Sequence, residues 1–158
     1  MSSDCLAVTR LVNATAVAVF AVLTDPARHA AIDGTGWIRA TAAGEPLTAA
    51  GQIFRMPMHH ADHPNGYYET ANRVEVFDPP YTISWKTGYE DDSGILHLGG
   101  WYWRYDLAPA GASSTTVTLT YDWSATSGSA RELIGFPPFP PEHLAHSLDH
   151  LADLVIEL

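Results

Sequence analysis

Apolar and polar residues alternate most regularly in two segments of the second half of the chain. In the first, Trp101, Trp103 and Tyr105 alternate with Tyr102 and Arg104, and in the second, threonines separate the apolar positions. Because successive side chains of a strand point to opposite faces, each segment predicts a strand with one apolar face. The inward positions of these two strands are Trp101, Trp103, Tyr105, Leu107, Val117, Leu119, Tyr121 and Trp123.

Turn signals rich in Gly, Pro and Asp divide the chain between Trp37 and Trp123 into five or six short strands. Short links between sequential strands are typical of an antiparallel meander. The same alternation assigns the inward positions of the earlier strands. They are Phe54, Met56, Met58, His60, Tyr68, Val74, Val76, Tyr81, Ile83 and Trp85.

Helical spacing marks both ends of the chain. A first strand ends near Asn13, which we expect to cap a helix over residues 14–24, and Asp25-Pro26 separates this helix from a short second one over Ala27 to Ile32. A long helix is predicted after Pro141. Because strands and helices are segregated along the chain, the fold class is α+β. The stripe of the last helix that must cover the sheet is Leu144, Leu148, Leu151 and Val155.

Size and charge narrow the possible partners. A chain of 158 residues fits one domain, residues 1–158, with a substantial core. With 18 Asp and Glu against 8 Lys and Arg, the net charge is -10, which disfavours nucleic acid and anionic membranes. The single cysteine, Cys5, and the lack of a signal peptide or an apolar run of spanning length predict a cytoplasmic protein without membrane insertion. We expect a monomer or a homodimer.

The predicted inner face of the sheet is unusually rich in large aromatic side chains. Either these side chains fill the core, or they line a cavity that the last helix closes. The pattern leaves both interpretations open. For the second, the predicted ligand-binding residues are Phe54, Met56, Met58, His60, Tyr68, Trp85, Trp101, Trp103, Tyr105, Leu144 and Leu148, with Phe139 of the Pro-rich segment at the rim.

Histidines suggest metal binding at two places. His59, His60 and His63 surround Asp62, but they precede a Pro-Asn-Gly turn, where such residues are ordinarily solvated. His143, His146 and His150 recur on the last helix, roughly 100–160° from Leu144, which predicts a solvent-facing stripe. We therefore expect no metal site and no cofactor.

His97 depends on the geometry at Gly99-Gly100. Unbroken alternation would point His97 inward with Trp101, whereas a bulge at the glycines would place Leu96 and Leu98 inside instead. We favour the bulge, because the alternative buries an imidazole and exposes two leucines.

Several segments resemble the START/Bet v 1-like (SRPBCC) superfamily. The opening run Val8 to Gly34, with its Leu-Thr-Asp-Pro-Ala-Arg motif, carries the resemblance together with Val74 to Trp85, Trp103 to Thr120 and Leu144 to Val155. The chain is most similar to the bacterial polyketide cyclase/dehydrase-like or Aha1-like branch. The resemblance implies a helix-grip fold, in which a seven-stranded antiparallel sheet wraps the C-terminal helix around a hydrophobic cavity. It thereby favours the cavity interpretation of the aromatic face.

Three functions are compatible with this resemblance. The first is binding of a small hydrophobic or aromatic molecule, lipid- or polyketide-like, in the cavity. The second is a cyclase or dehydratase reaction in the same cavity, for which His60 and Tyr105 are the candidate catalytic residues. No nucleophile elbow, phosphate loop or inward-facing carboxylate pair is present, so enzymatic activity stays open. The third is an Aha1-like interaction with a chaperone.

Overall fold

A six-stranded antiparallel sheet dominates the part of the chain that the structure describes. The computed structural model describes residues 4–25, 28, 32, 46–59, 67–129 and 142–156. The strands are β1 (Cys5–Val12), β2 (Ile53–His59), β3 (Tyr67–Asp78), β4 (Thr82–Glu90), β5 (Leu96–Gly111) and β6 (Ser114–Asp122), and the helices are α1 (Ala16–Leu23) and α2 (His143–Ile156). The strand order is β1-β6-β5-β4-β3-β2. The meander predicted from the turn signals is confirmed, and the first strand closes it by pairing with the last.

The two strands with the clearest alternation, β5 and β6, are neighbours in the interior of the sheet. Along β6, Val117, Leu119 and Tyr121 are buried and the intervening threonines are half-buried. Tyr105 pairs with Leu119, so that the apolar sides of β5 and β6 face the same way. The predicted inner face is therefore confirmed for these strands.

Helix α1 follows β1 after a tight connection. Its N-cap is Thr15, whose hydroxyl oxygen accepts a hydrogen bond from the backbone N–H of Ala18 at 3.2 Å. The prediction that Asn13 caps this helix is wrong, because the chain makes a bend after β1 before it turns helical. Thr115 of β6 is fully buried and donates to the carbonyl oxygen of Ala14 at 2.8 Å, which ties this connection to the sheet.

Helix α2 lies against one side of the sheet, where it packs on β1, β6 and α1. The stripe predicted to cover the sheet is buried throughout: Leu144, Leu148, Leu151 and Val155. His146 and His150 are exposed, as predicted, but His143 is only 6% exposed. The prediction of a solvent-facing His143 is wrong, because the first residue of α2 meets an aromatic ring of the sheet.

The ladder between β4 and β5 is irregular opposite Gly99-Gly100. The register shifts between Lys86 and Gly88, and Gly100 adopts a φ of 94°, which favours glycine. His97 is exposed, and its Nε2 lies 2.8 Å from Asp91 Oδ2. The predicted bulge is confirmed, and His97 is exposed. Leu96 and Leu98, which were predicted to lie inside, are only half-buried, and the ladder pairs His97 with Tyr89, which has the same parity as Trp85.

Two residues near strand ends that were predicted to face inward are not buried. Tyr81 is exposed, because it belongs to the turn before β4 rather than to the strand itself. The prediction of an inward Val76 is wrong, because a second irregularity after Val74 pairs Val76 with Ser84. Phe77 pairs with the buried Ile83 and packs against the core instead. The predicted strand near Trp37 and most of the predicted helix from Ala27 to Ile32 lie outside the described residues.

The fold class is α+β, with a C-terminal helix on an antiparallel sheet. Six strands are found within the described ranges, whereas the resemblance implied seven. Neither described helix is long and apolar enough to cross a membrane.

Candidate functional site

Aromatic rings form two groups across the inner face of the sheet. In the first, the Phe54 ring stands edge-on to Trp85 with centroids 5.4 Å apart, and Trp85 lies 5.9 Å from Tyr105. In the second, Trp103 lies 4.5 Å from Tyr121, which lies 5.7 Å from Trp123. These spacings fall in the range of favourable aromatic contacts. Because β4 and β5 pair Trp85 with Trp103, the two groups adjoin and make one aromatic surface.

Trp103 differs in exposure from the residues beside it. The strand register places Trp103 between Trp85 and Tyr121, which are 8% and 1% exposed. Trp103 itself stays half-buried, although it lies on a central strand and faces inward. A central inward residue is ordinarily the best covered of its row. Trp103 is therefore more exposed than the ring on either side of it.

Trp101 extends this less covered region toward the bulge. Its side chain is half-buried, like that of Trp103. Its ring lies over Gly99, where an added Cβ would come within 1.9 Å of a ring carbon. Gly99 therefore lets the indole lie flat against the strand, and the bulge determines where this ring lies.

A buried polar pair lies beside the first aromatic group. Asn72 and Thr87 are 4% and 8% exposed, and the Thr87 hydroxyl donates to Asn72 Oδ1 at 2.8 Å. Asn72 Nδ2 in turn donates to the carbonyl oxygen of Phe54 at 3.3 Å. The register places Asn72 opposite both Phe54 and Thr87, so the three residues cross the sheet in one row. They add a hydrogen-bonded polar spot to an otherwise apolar face.

The first residue of α2 brings a polar ring to the second aromatic group. The His143 ring stands edge-on to Trp103, with centroids 5.7 Å apart and an interplanar angle of 84°. Ser147, one turn later, is also buried. Burial raises the pKa of Tyr121 above its ordinary value, so this phenol stays protonated well beyond neutral pH.

The outer face of the same strands is charged. Arg104 Nε lies 2.9 Å from Asp106 Oδ2, and Thr82 also donates to Asp106. The Tyr102 hydroxyl donates to Asp122 at 3.3 Å, and its pKa is raised by partial burial and by the nearby carboxylate. The two faces of β5 thus have opposite chemistry, as the alternation predicted.

Of the twelve predicted ligand-binding residues, eight are buried or half-buried on the inner face of the sheet or on α2. Trp101 and Trp103 are half-buried, while Met58 and Tyr68 are known only as directly opposed positions of β2 and β3. His60 and Phe139 lie outside the described residues. The predicted residues that are buried here are Phe54, Met56, Trp85, Tyr105, Leu144 and Leu148.

Three polar residues of the site were missed from the sequence. Asn72 shares the parity of Val74, and Thr87 shares that of Trp85, so alternation alone could have placed both inward. His143 had a weaker signal, since only its spacing of four from the buried Ser147 extends the buried stripe. Among the described residues no Asp or Glu is buried, and no three His, Cys, Asp or Glu side chains are grouped to hold a metal ion.

The sequence from residue 13 to residue 154 matches the family model described as Activator of Hsp90 ATPase homolog 1-like protein. The chain belongs to this family. The resemblance to the START/Bet v 1-like superfamily, including its Aha1-like branch, is thereby confirmed. It now rests on nearly the whole chain rather than on separate short motifs.

One curated relative comes from Mycobacterium tuberculosis. The chain is 26% identical to uncharacterized protein Rv0088 of strain H37Rv over 147 aligned residues, and the alignment covers 90% of this chain. The chain spans about 60% of the length of that relative.

Solved structures share the fold at low sequence identity. Protein NE0264 from Nitrosomonas europaea has a TM-score of 0.70 and 15% identity, with 99% of this chain and 97% of that protein covered. Norcoclaurine synthase from Thalictrum flavum, solved in complex with dopamine and hydroxybenzaldehyde, has a TM-score of 0.65 and 14% identity, with coverages of 99% and 88%. At these identities the likeness establishes the fold alone.

Proposed function

We propose that this protein binds a small hydrophobic or aromatic molecule, lipid- or polyketide-like, between the inner face of its sheet and α2. The observation that carries the proposal is the exposure of Trp103, which exceeds that of both its cross-strand neighbours. A ligand that covers this indole would complete the aromatic surface of β4, β5 and β6. Trp101 and Trp103 would be its main contacts.

The chemistry of the surroundings supports an apolar ligand. A binding site for a small molecule is typically apolar with a few well-placed polar groups. Phe54, Met56 and Trp85 supply the apolar lining, while the Asn72–Thr87 pair supplies polar atoms that are already ordered by hydrogen bonds to each other. Because Trp103 is already half-buried, a ligand would remove from water only the remaining part of the about 150–250 Å² that an aromatic side chain loses on full burial.

A solved structure with the same fold also supports the binding of an aromatic molecule. A neighbour with the same fold, norcoclaurine synthase, holds two aromatic molecules. For this chain we take from that neighbour only the class of ligand. The absence of buried carboxylates among the described residues favours binding over acid–base catalysis.

A cyclase or dehydratase reaction in the same cavity is the alternative, with Tyr105 and His60 as its candidate groups. Tyr105 is buried beside Trp85, where its hydroxyl could act on a bound molecule. Replacing Tyr105 with Phe removes the hydroxyl and keeps the ring. Unchanged turnover of a polyketide-like substrate by Tyr105→Phe and by His60→Ala would exclude both residues from the reaction.

The family description suggests a further alternative, an interaction with a chaperone ATPase. The net charge of -10 would favour a basic partner surface. A chaperone ATPase assay with the purified chain tests this function. A rate unchanged by saturating amounts of the chain would rule it out.

Thermal-shift measurements with aromatic compounds and fatty acids, checked by native mass spectrometry, test ligand binding. A ligand at one hundred times its Kd stabilises a protein by about 2.7 kcal/mol, which for a domain of this size raises Tm by roughly 5–10 °C. If no compound of either class binds the wild-type protein, the proposal is wrong.

A pair of variants then locates the site on the sheet. Trp103→Ala should weaken ligand binding about tenfold or more, because the stacking surface is lost. Tyr102→Ala changes the neighbouring residue on the opposite face of β5 and should leave Kd unchanged. Each variant is compared with its own ligand-free Tm, so that a loss of stability is not mistaken for a loss of binding. Equal affinity in Trp103→Ala and wild type would place the ligand elsewhere.

A further inference from the structure

Two large apolar side chains are exposed at the hairpin that joins β4 to β5. Tyr89, near the end of β4, is 56% exposed, and Ile95, immediately before β5, is 58% exposed. The ladder pairs Tyr89 with His97, two residues after Ile95. Scattered exposed apolar side chains need no explanation, whereas a contiguous exposed group is typical of a contact surface.

The His97 ring belongs to the same group, because it stacks on Tyr89. The two ring centroids are 5.0 Å apart, and the rings lie within 18° of parallel. The His97 side chain is 46% exposed. Water therefore still contacts much of both side chains, even with one ring against the other. We call Tyr89, Ile95 and His97 the hairpin patch.

Asp91 holds the hairpin patch in one geometry. Its carboxylate accepts hydrogen bonds from the backbone N–H groups of Ser93 and Ile95, and Oδ2 lies 2.8 Å from His97 Nε2. The backbone N–H of Asp91 also donates to the carbonyl oxygen of Ile95 at 2.9 Å. A surface that is already ordered loses less conformational entropy on binding than a flexible one does. The hairpin patch is thus preorganised for contact with a partner.

The charge of the hairpin selects the kind of partner. Residues 87–103 contain no Lys or Arg, whereas residues 90–92 are all acidic. Glu90 is paired with Arg55, but Asp92 is exposed and has no ion pair within the part of the chain that the structure describes. A cation is attracted both to a carboxylate and to the face of an aromatic ring. The hairpin patch is therefore complementary to a cationic partner and repels an anionic one.

We infer that the hairpin patch is a docking surface for a short, arginine-bearing segment of a partner protein. The guanidinium of Arg is planar and stacks on aromatic rings, whereas the ammonium of Lys is compact and strongly hydrated. Tyr89 and His97 supply the aromatic surface, Ile95 the apolar contact and Asp92 the unpaired negative charge. Neither Trp101 nor Trp103 belongs to the patch, so the inference is independent of the proposed ligand site.

The test uses fluorescein-labelled octa-arginine as the probe and measures its Kd by fluorescence anisotropy at low salt. Tyr89→Ala removes the ring without a change of charge, and Tyr89→Phe keeps the ring. An exposed cation–π contact corresponds to about a two- to fivefold change in Kd. We expect Tyr89→Ala to weaken binding by about this factor and Tyr89→Phe to bind like wild type.

Tyr81→Ala is the matched control, because Tyr81 is an exposed tyrosine beside the other end of β4. It should leave the Kd unchanged. Equal Kd values for Tyr89→Ala and Tyr81→Ala would mean that the probe responds only to the net negative charge, which would overturn the inference. A wild-type chain that does not bind octa-arginine would overturn it as well.

A second pair of variants tests the contribution of charge. Asp92→Asn removes one negative charge beside the hairpin patch, and Asp153→Asn removes the same charge from an exposed position on α2. We expect Asp92→Asn to weaken octa-arginine binding more than Asp153→Asn does. Equal effects of the two variants would contradict docking at the hairpin.

Octa-lysine tests the choice of arginine. The factor by which Tyr89→Ala weakens binding should be larger for octa-arginine than for octa-lysine, since only the guanidinium is planar. An equal factor would overturn the arginine preference and with it the inferred partner.

A second copy of the chain is the competing occupant of the hairpin patch. Sedimentation of the wild-type chain and of Ile95→Lys distinguishes the two. We expect both to sediment as the same species. A wild-type dimer that Ile95→Lys converts to a monomer would show that the patch is an interface between copies, and would overturn the inference.

A measurement on the wild-type chain alone covers variants that do not fold. Backbone amide signals are recorded by NMR during titration with octa-arginine. We expect the largest shifts at residues 89–97. Shifts that spare this hairpin, or that are no larger there than at other acidic positions, would contradict the inference.

Discussion

The hydrogen bond between Asn72 and Thr87 makes it possible to test whether these two side chains are buried and paired on the inner face. Both side chains are buried, and each supplies the other with a partner: the Thr87 hydroxyl donates to Asn72 Oδ1 at 2.8 Å. Thr87→Val keeps the shape of the side chain but leaves this amide oxygen without that donor. Asn72→Leu removes the acceptor and also the 3.3 Å bond to the Phe54 carbonyl oxygen. Leaving one buried polar group unsatisfied costs about 1–3 kcal/mol.

The double variant Asn72→Leu/Thr87→Val separates pairing from packing. Two independent losses would add to about 2–6 kcal/mol, whereas removing both partners leaves neither side chain with an unsatisfied polar atom. We therefore expect the double variant to cost no more than the worse single variant, with a coupling of about 0.5–3 kcal/mol. The free energy of unfolding is measured by urea denaturation of all four proteins.

A matched control lies on the exposed side of the sheet. The hydroxyls of Thr9 and Thr118 are 3.0 Å apart at an exposed position, where water can replace either partner. Thr118→Val should change the free energy of unfolding by less than about 0.5 kcal/mol. Additive costs for Asn72→Leu and Thr87→Val, or a Thr87→Val cost as small as that of the control, would refute the reasoning.

Three further results are expected. Leu148→Ala should lower the free energy of unfolding, measured by urea denaturation, by about 2–5 kcal/mol, because Leu148 is 1% exposed on the buried side of α2. A loss below about 1 kcal/mol would mean that α2 does not pack tightly on the sheet. Gly100→Ala should destabilise more than Gly94→Ala in thermal denaturation, since both have a positive φ but only at Gly100 would a Cβ lie 2.5 Å from a main-chain oxygen; equal effects would contradict the close approach. The hydrogen bond from His97 is the largest cause that lowers the pKa of Asp91, so its stabilising contribution is present at neutral pH and lost as pH falls through that lowered pKa. His97→Leu should raise this pKa in an NMR titration, and an unchanged pKa would show that the backbone N–H groups alone are sufficient.

Neither the family nor the fold by itself determines the function of this protein. Membership of the Activator of Hsp90 ATPase homolog 1-like family rests on residues 13–154, and the neighbours at 14–15% identity share the architecture. One fold of this kind can serve unrelated activities, because function depends on the side chains of the site. The choice between ligand binding and catalysis therefore depends on residues such as Trp103 and Tyr105, which the experiments above address directly.

Periodicity was sufficient to predict the elements of the fold and most of its inner face. A strand repeats its orientation every two residues and a helix about every 3.6, so burial of one face leaves a pattern that is visible without coordinates. This pattern placed Tyr105 and Tyr121 inward and assigned Leu144 and Leu148 to the buried side of the last helix, all of which are buried.

Only the tertiary structure decided which inward residues remain less covered and which polar residues join them. Trp85 and Trp103 have the same parity, yet their exposure differs, because exposure depends on what packs over each ring in the folded chain. His143 has a helical position that predicts solvent, yet it is buried, because the start of α2 meets Trp103. The aromatic face was thus predictable from local alternation, while the candidate site on it depends on contacts between residues 40 positions apart, which no local pattern records.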